Sequence, residues 1–261
     1  MKRIVYSIWD ELTEPHVSSN EYKQSQFKKY INILKERQEA YANICHADYQ
    51  VFSTGPSRYQ DIQFHKLHKL EELSYEYDEI LYLDMDVIPN TNKNIFNSFD
   101  LSKISYHAAP PAFIPTGEGM IKNWDEAASN VHYMTSWIKL LIKKAMLFVE
   151  DIEGNDMISN TGVIVTNSEA IKRLELTDKL EKASECYYEA LEDNFYPQKV
   201  VDVWTQNNEV FLSYIVERYG VETNGIGIQW NYILNDKIKE YTSAAYLIHQ
   251  VNKEFEVGLR L

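Results

Sequence analysis

The stretch Tyr77-Asp78-Glu79-Ile80-Leu81-Tyr82-Leu83-Asp84-Met85-Asp86-Val87-Ile88-Pro89-Asn90 constrains this chain more than any other. Residues 80–83 are a short apolar run, which reads as a buried strand. The run ends in two acids one residue apart, Asp84 and Asp86, and Pro89 with Asn90 predicts a stop to the strand. Carboxylates at a strand end lie at the carboxyl edge of a sheet, where open α/β folds bind their ligands. Alternation along an extended chain would point both acids the same way, toward one divalent cation.

The flanking segments alternate between strand and helix patterns. Residues 3–9 are rich in β-formers and predict a first strand, with Asp10 at its carboxyl end. Ser18 and Glu21 have capping-box spacing. Phe27, Ile31, Leu34, Tyr41 and Cys45 then recur at helical spacing among charged residues, predicting an amphipathic helix. Residues 49–53 predict a second strand and Gly55-Pro56 a turn. A second helix is expected over 61–74, with Phe64, Leu67 and Leu70 inward. The order β-α-β-α-β predicts a parallel sheet with right-handed crossovers.

Beyond residue 100 the pattern loosens. Pro110, Pro111, Pro115, Gly117 and Gly119 mark a long loop, followed by a lysine-bearing helix over 137–150. An excursion of this kind inside a compact domain usually shapes a binding site. Residues 161–166 predict a strand, and Ser168 is expected to cap a helix that starts at Glu169 and continues to about 193. A further helix is predicted over 203–219. Two short strands, 227–230 and 245–248, close the pattern, the second leading into His249.

With 261 residues and no linker or repeat, one α/β domain is expected. A net charge of −13 excludes a broad nucleic-acid surface. An anionic nucleotide can still be held through a metal or a few local cations. Cys45 and Cys186 imply no disulfide framework and fit a reducing, cytoplasmic setting. The apolar stretch at 4–9 is too short for a signal peptide. Residues 137–149, interrupted by Lys139, Lys143 and Lys144, are too few to span a bilayer, so no transmembrane segment is expected.

An Asp-x-Asp at a strand end suits metal-assisted handling of a diphosphate. Hard carboxylate oxygens bind Mg²⁺ or Mn²⁺, and the ion stabilises charge on the departing phosphate oxygens. A pair of turn aspartates would explain the motif as well. Residues 77–90 resemble the Asp-x-Asp strand of GT-A fold glycosyltransferases, particularly family 8, the glycogenin and galactosyltransferase group. Asn160-Thr161-Gly162-Val163-Ile164-Val165-Thr166-Asn167 is similar to the Asn-x-Gly-Val strand that this family places beside the donor sugar. Trp230-Asn231 resembles a late Trp-Asn or Phe-Asn pair. His249 matches the late histidine that serves there as a third metal ligand. The resemblance runs from the first strand to about residue 255. It departs twice: no glycine follows His249 and Lys253 arrives early, and the family's acid-Gln-acid segment corresponds to Asn207-Asn208-Glu209, with an amide for the first acid.

The resemblance implies a GT-A-like (Rossmann-like) α/β fold, with a mixed, mainly parallel central sheet flanked by helices in a single domain. Residues 1–100 would bind the nucleotide sugar, and residues 101–261 would bind the acceptor and carry the last metal ligand. The implied activity is metal-dependent transfer of a hexose from a nucleotide-diphosphate sugar to a hydroxyl of a glycan or other acceptor. UDP-hexose is favoured over GDP-mannose as donor, and retention over inversion. Asp84, Asp86 and His249 would hold Mn²⁺ or Mg²⁺. Trp9, Asp10, Lys66, Asp84 and Lys253 would bind the donor, and Asn160, Asn208 and Glu209 would act at the transferred sugar. The loop at 106–121 is expected at the acceptor, with Tyr106, His107, Phe113, Trp124 and Trp137 as stacking candidates.

Each residue has a plainer reading. His249 and Trp9 can be core residues, Asp10 a turn aspartate, Lys66 a solvated helix lysine, Asn160 a strand cap, Glu209 part of an exposed helix face, and the aromatics core filling. Two rival functions remain. A catalytically inactive, carbohydrate-binding relative is favoured by Asn207. A haloacid-dehalogenase-like phosphatase also uses Asp-x-Asp, with the first acid as nucleophile. That family usually places its motif in the first strand, with Thr or Val where Ile88 stands and an acidic pair late in the chain.

Overall fold

The computed structural model describes residues 1–11, 18–55, 59–110, 131–193, 196, 201–202, 204–234 and 244–259. In chain order its strands are β1 (Arg3–Ile8), β2 (Asp48–Phe52), β3 (Glu79–Leu83), β4 (Val87–Pro89), β5 (Ile104–Ala109), β6 (Ile158–Asn167), β7 (Thr223–Gly225), β8 (Tyr232–Leu234) and β9 (Leu247–Gln250). The α-helices are α1 (Ser18–Ile44), α2 (Tyr59–Leu73), α3 (Val131–Val149), α4 (Ser168–Leu174), α5 (Leu176–Glu192), α6 (Asn208–Arg218) and α7 (Phe255–Gly258). The Ser18 side chain, Pro56, Pro111, Phe113, Pro115, Gly117, Gly119 and Trp124 lie outside the described residues. Two compact units emerge: Met1–His107, Thr161–Leu176 and Glu222–Leu261 form the first, and Ala108–Asn160 with Thr177–Val221 the second.

In the first unit the expected β-α-β-α-β order is present. β1 pairs in parallel with both β2 and β3. β6 runs antiparallel to β3, with Leu83 opposite Val163 and Glu79 opposite Asn167. The six-stranded sheet has the order β2-β1-β3-β6-β5-β7, a mixed, mainly parallel α/β sheet. Every residue of β3 is buried, which explains its unbroken apolar run, since a strand covered on both faces has no polar side. Tyr41 and Ala42 of α1, with Cys45 just after it, pack on Val5, Leu81, Leu83 and Val165.

The extended chain does stop at Pro89, but β3 has already ended at Leu83, before the acid pair. Val87–Pro89 forms β4, the edge of a second sheet of order β4-β9-β8. Proline is tolerated there because an edge strand leaves its N–H side without a ladder partner. β9 pairs antiparallel with β4 and parallel with β8, setting Val87 and Ile233 beside His249. Ile88, Ile248 and Phe255 close this small sheet against Tyr30 and Leu34 of α1.

Four features differ from the sequence reading. Residues 228–230 form a single 3-10 turn rather than a strand, because Gly227, at φ 71°, turns the chain and Trp230 is drawn inward between Phe99 and Tyr246. The cap of α4 is Asn167, whose side chain accepts from the Ala170 N–H at 2.8 Å, rather than Ser168. Glu175, at φ 50°, then breaks the expected long helix into α4 and α5. In the second unit, α6 starts at Asn208 rather than near 203, because the Asn207 side chain caps the Glu209 and Val210 N–H groups. Here α3 and α6 pack together. Among the described residues no helix is long and apolar enough to cross a membrane.

Candidate metal centre

Asp84 and Asp86 lie together in the first unit because the chain turns between them, not because it stays extended. The Val87 N–H donates back to the Asp84 carbonyl at 2.9 Å, a turn of the i to i+3 kind. A buried residue from α1 clamps this turn. Gln38 Nε2 donates to the carbonyls of Asp84 and Val87, both at 2.9 Å, while its Oε1 accepts from Ser7 Oγ at 2.6 Å. On the other side the Asp84 N–H donates to the Gly162 carbonyl of β6 at 2.8 Å.

Each carboxylate then has one oxygen tied down. Tyr82 Oη donates to Asp84 Oδ1 at 2.5 Å, and Lys66 Nζ donates to the same oxygen at 3.1 Å and to the Thr161 carbonyl at 3.3 Å. Burial, with the charge of Asp84, holds the Tyr82 phenol well above its ordinary pKa, so it stays a donor. Lys66 is buried and lies 5.1 Å over the Tyr82 ring. The solvated-lysine reading fails for it.

His249 enters from β9. Its Nε2 stands 3.4 Å from Asp86 Oδ2 and 3.7 Å from Asp84 Oδ2, and its Nδ1 lies 3.0 Å from Asn231 Oδ1. Lys253, in the left-handed region at φ 63°, returns its ammonium to Asp86 Oδ2. Burial pushes the Asp86 carboxyl up, but Lys253 and His249 outweigh it and hold the group well below the usual carboxylate range.

The donor set fits a divalent ion. The three ligand atoms lie within 4.8 Å of one another. Around an ion with bonds of about 2.1 Å, ligands at right angles stand about 3 Å apart and opposed ligands about 4 Å apart. The two histidine–carboxylate separations fall in that range. Two hard carboxylates and one imidazole suit a divalent cation. Lys253 shares Asp86 Oδ2 with the ion such a site would bind.

At the end of β1, Asp10 is buried and accepts from Ser53 Oγ at 2.6 Å, Thr54 N–H at 2.7 Å and Thr54 Oγ1 at 3.0 Å. Trp9 is part-buried and packs on Phe27 at 4.6 Å between ring centroids. The second unit carries Asn160, Asn208 and Glu209. Asn160 is the third residue of β6, so it does not cap a strand start. Asn208 is buried, and Glu209 pairs with the Lys139 ammonium rather than lining a solvated face. Tyr106 is buried in β5.

No protein-family model matches the chain, and no curated protein does. Solved structures do. A glycosyltransferase involved in glycosylation of the major capsid of PBCV-1 is 17% identical over 100% of both chains, with a TM-score of 0.51. The galactosyltransferase LgtC, in complex with donor and acceptor sugar analogues, is 12% identical over 95% of this chain and 87% of its own, at TM-score 0.50. An active-site mutant of LgtC matches at 13% identity, the same coverage and TM-score 0.51. The chain has the GT-A fold. Within that GT-A framework, the sequence reading had named Lys66, Asp84, Asp86, His249 and Lys253, which do converge. It had missed Gln38, Tyr82 and the tie between Asn231 and His249. Gln38 carried a signal, being a polar residue four positions after Leu34 on the apolar stripe of α1.

Proposed function

We propose that this chain is a metal-dependent glycosyltransferase that moves a hexose from a nucleotide-diphosphate sugar to a hydroxyl acceptor, such as a glycan. The observation that carries this reading is the Asp84–Asp86–His249 cluster on a GT-A fold. Asp84, Asp86 and His249 would hold Mn²⁺ or Mg²⁺, which supplies positive charge against the departing diphosphate.

The remaining steps belong to the chain's own residues. Trp9 and Asp10 bind the nucleoside, with Asp10 already oriented by Ser53 and Thr54. Lys66 and Tyr82 fix one oxygen of Asp84 and leave the other facing His249. Lys253 moves its ammonium from Asp86 to the diphosphate. Asn160, Asn208 and Glu209 contact the transferred sugar, with Lys139 as the counter-ion of Glu209. UDP-hexose is the favoured donor, with GDP-mannose the alternative; transfer of a hexose is supported by the likeness to a galactosyltransferase that binds donor and acceptor sugar analogues. Retention is the favoured outcome. Both cysteines are buried thiols, which supports a reducing, cytoplasmic setting.

The test is a donor panel. Purified protein is incubated with each common nucleotide sugar, with Mn²⁺ or with EDTA, and released nucleotide is measured beside Asp86→Ala. Metal-dependent release from one donor, lost in the variant, is expected. No release from any donor, and no thermal stabilisation by UDP or GDP with Mn²⁺, would sink the reading and leave the carbohydrate-binding alternative.

A further inference from the structure

We propose that Lys23 of α1 binds a phosphate group of the diphosphate beside Lys253, with the Gln24 side-chain amide as a further donor. The inference rests on reading this centre as a nucleotide-diphosphate site. Lys23 stands one turn before Phe27 on the same stripe of α1, because residues four apart stack along a helix. Phe27 shows what that stripe faces. Its ring packs on Trp9 at 4.6 Å and on Phe255 at 5.1 Å, and the Lys253 ammonium lies 5.6 Å over it. Phe27 and Trp9 also pack against the cluster that holds Met85, the residue between the two acids.

Lys23 is a cation without an anion. It is part-buried, and among the described residues it has neither an ion pair nor a hydrogen bond. Lys66 is paired with Asp84 and Lys253 with Asp86, so neither acid is left for it. Burial and the charge of Lys253 push the Lys23 pKa down, and Asp86 only partly opposes them. Next to it, Gln24 Nε2 is buried with no hydrogen-bond partner among the described residues. A desolvated ammonium and an unpaired buried amide both cost free energy. A phosphate group offers acceptor oxygens and negative charge, so it would satisfy both donors at once.

The experiment is calorimetry on the full chain with Mn²⁺ in excess, titrating UDP, GDP, uridine and inorganic pyrophosphate into wild type, Lys23→Met, Lys23→Arg and Gln24→Leu. Lys23→Met is expected to weaken UDP and pyrophosphate roughly 10–100-fold and to leave uridine unchanged. Lys23→Arg keeps the charge and most of the affinity, and Gln24→Leu gives a smaller loss than Lys23→Met. High salt narrows the gap between wild type and Lys23→Met. Unchanged UDP and pyrophosphate affinity in a folded Lys23→Met overturns the proposal. An equal loss for uridine does so too, because it marks a structural role. If Lys23→Met does not fold, Lys23→Gln is read in its place. A wild type that binds pyrophosphate but neither UDP nor GDP sinks the nucleotide reading, and loss of pyrophosphate in Lys23→Met then still upholds Lys23 as a phosphate ligand. A wild type that binds none of the phosphates overturns both.

Discussion

Lys253 and a bound cation lay claim to one oxygen, Asp86 Oδ2. Two positive charges against one buried carboxylate would repel each other, so an ion bound there would favour departure of the lysine. Lys253→Met is therefore expected to tighten Mn²⁺ binding by roughly tenfold, about 1.4 kcal/mol, and to weaken UDP binding; calorimetry with each ligand reads both. Unchanged or weaker Mn²⁺ binding would show that the lysine supports the ion rather than competing with it. Gln38 makes a different case. Gln38→Leu strips the Asp84 and Val87 carbonyls of their donor, and an expected loss of about 2 kcal/mol should appear in urea unfolding. The acid pair itself was legible in the sequence, because it directly follows an apolar run in the third strand of a β-α-β-α-β order, a place where turn aspartates alone are a weaker explanation. Its geometry was not: nothing local says that the Val87 N–H folds back on Asp84, since that turn is held by a glutamine on a helix and a carbonyl on β6.

Among the elements, the crossover units were legible because their signals are local, a short apolar run followed by a helical stripe. The small sheet was not. β4 and β8 have three residues each and β9 has four, too few for periodicity to register, and they meet only through pairing across most of the chain. The second unit contains a comparable hidden feature on α3. Lys143 is wholly buried and donates to the Asn155 carbonyl at 2.7 Å, the Met157 carbonyl at 2.8 Å and Glu217 Oε1 of α6 at 2.5 Å. Burial pushes its pKa down, and Glu217 only partly opposes this. Lys143→Met should destabilise the fold by about 3 kcal/mol, because it leaves the carboxylate without its charge partner. Adding Glu217→Leu should recover part of that loss in a double-mutant cycle. Strict additivity would show the pair to be uncoupled.

For the molecule as a whole, a net charge of −13 favours divalent cations over polyanions. A ligand that binds only the folded chain stabilises it by mass action. At 100 times its Kd, Mn²⁺ should add about 2.7 kcal/mol, or roughly 5–10 °C in melting temperature for a chain of this size. EDTA should reverse the shift and Asp86→Ala should abolish it; a shift that survives in Asp86→Ala would mean that the ion binds elsewhere. The small sheet also sets an order of events during synthesis. Lys253 follows Asp86 by 167 positions, and His249 sits just before it. At about 5–20 residues per second, roughly 10–30 s separate their emergence from the ribosome. The acid pair and its strand are made first, and β9, the central strand of the sheet that completes the cluster, follows far downstream. A nascent chain with its first strands already paired therefore still lacks the imidazole, and competence to capture an ion at this cluster would come only once β9 has emerged.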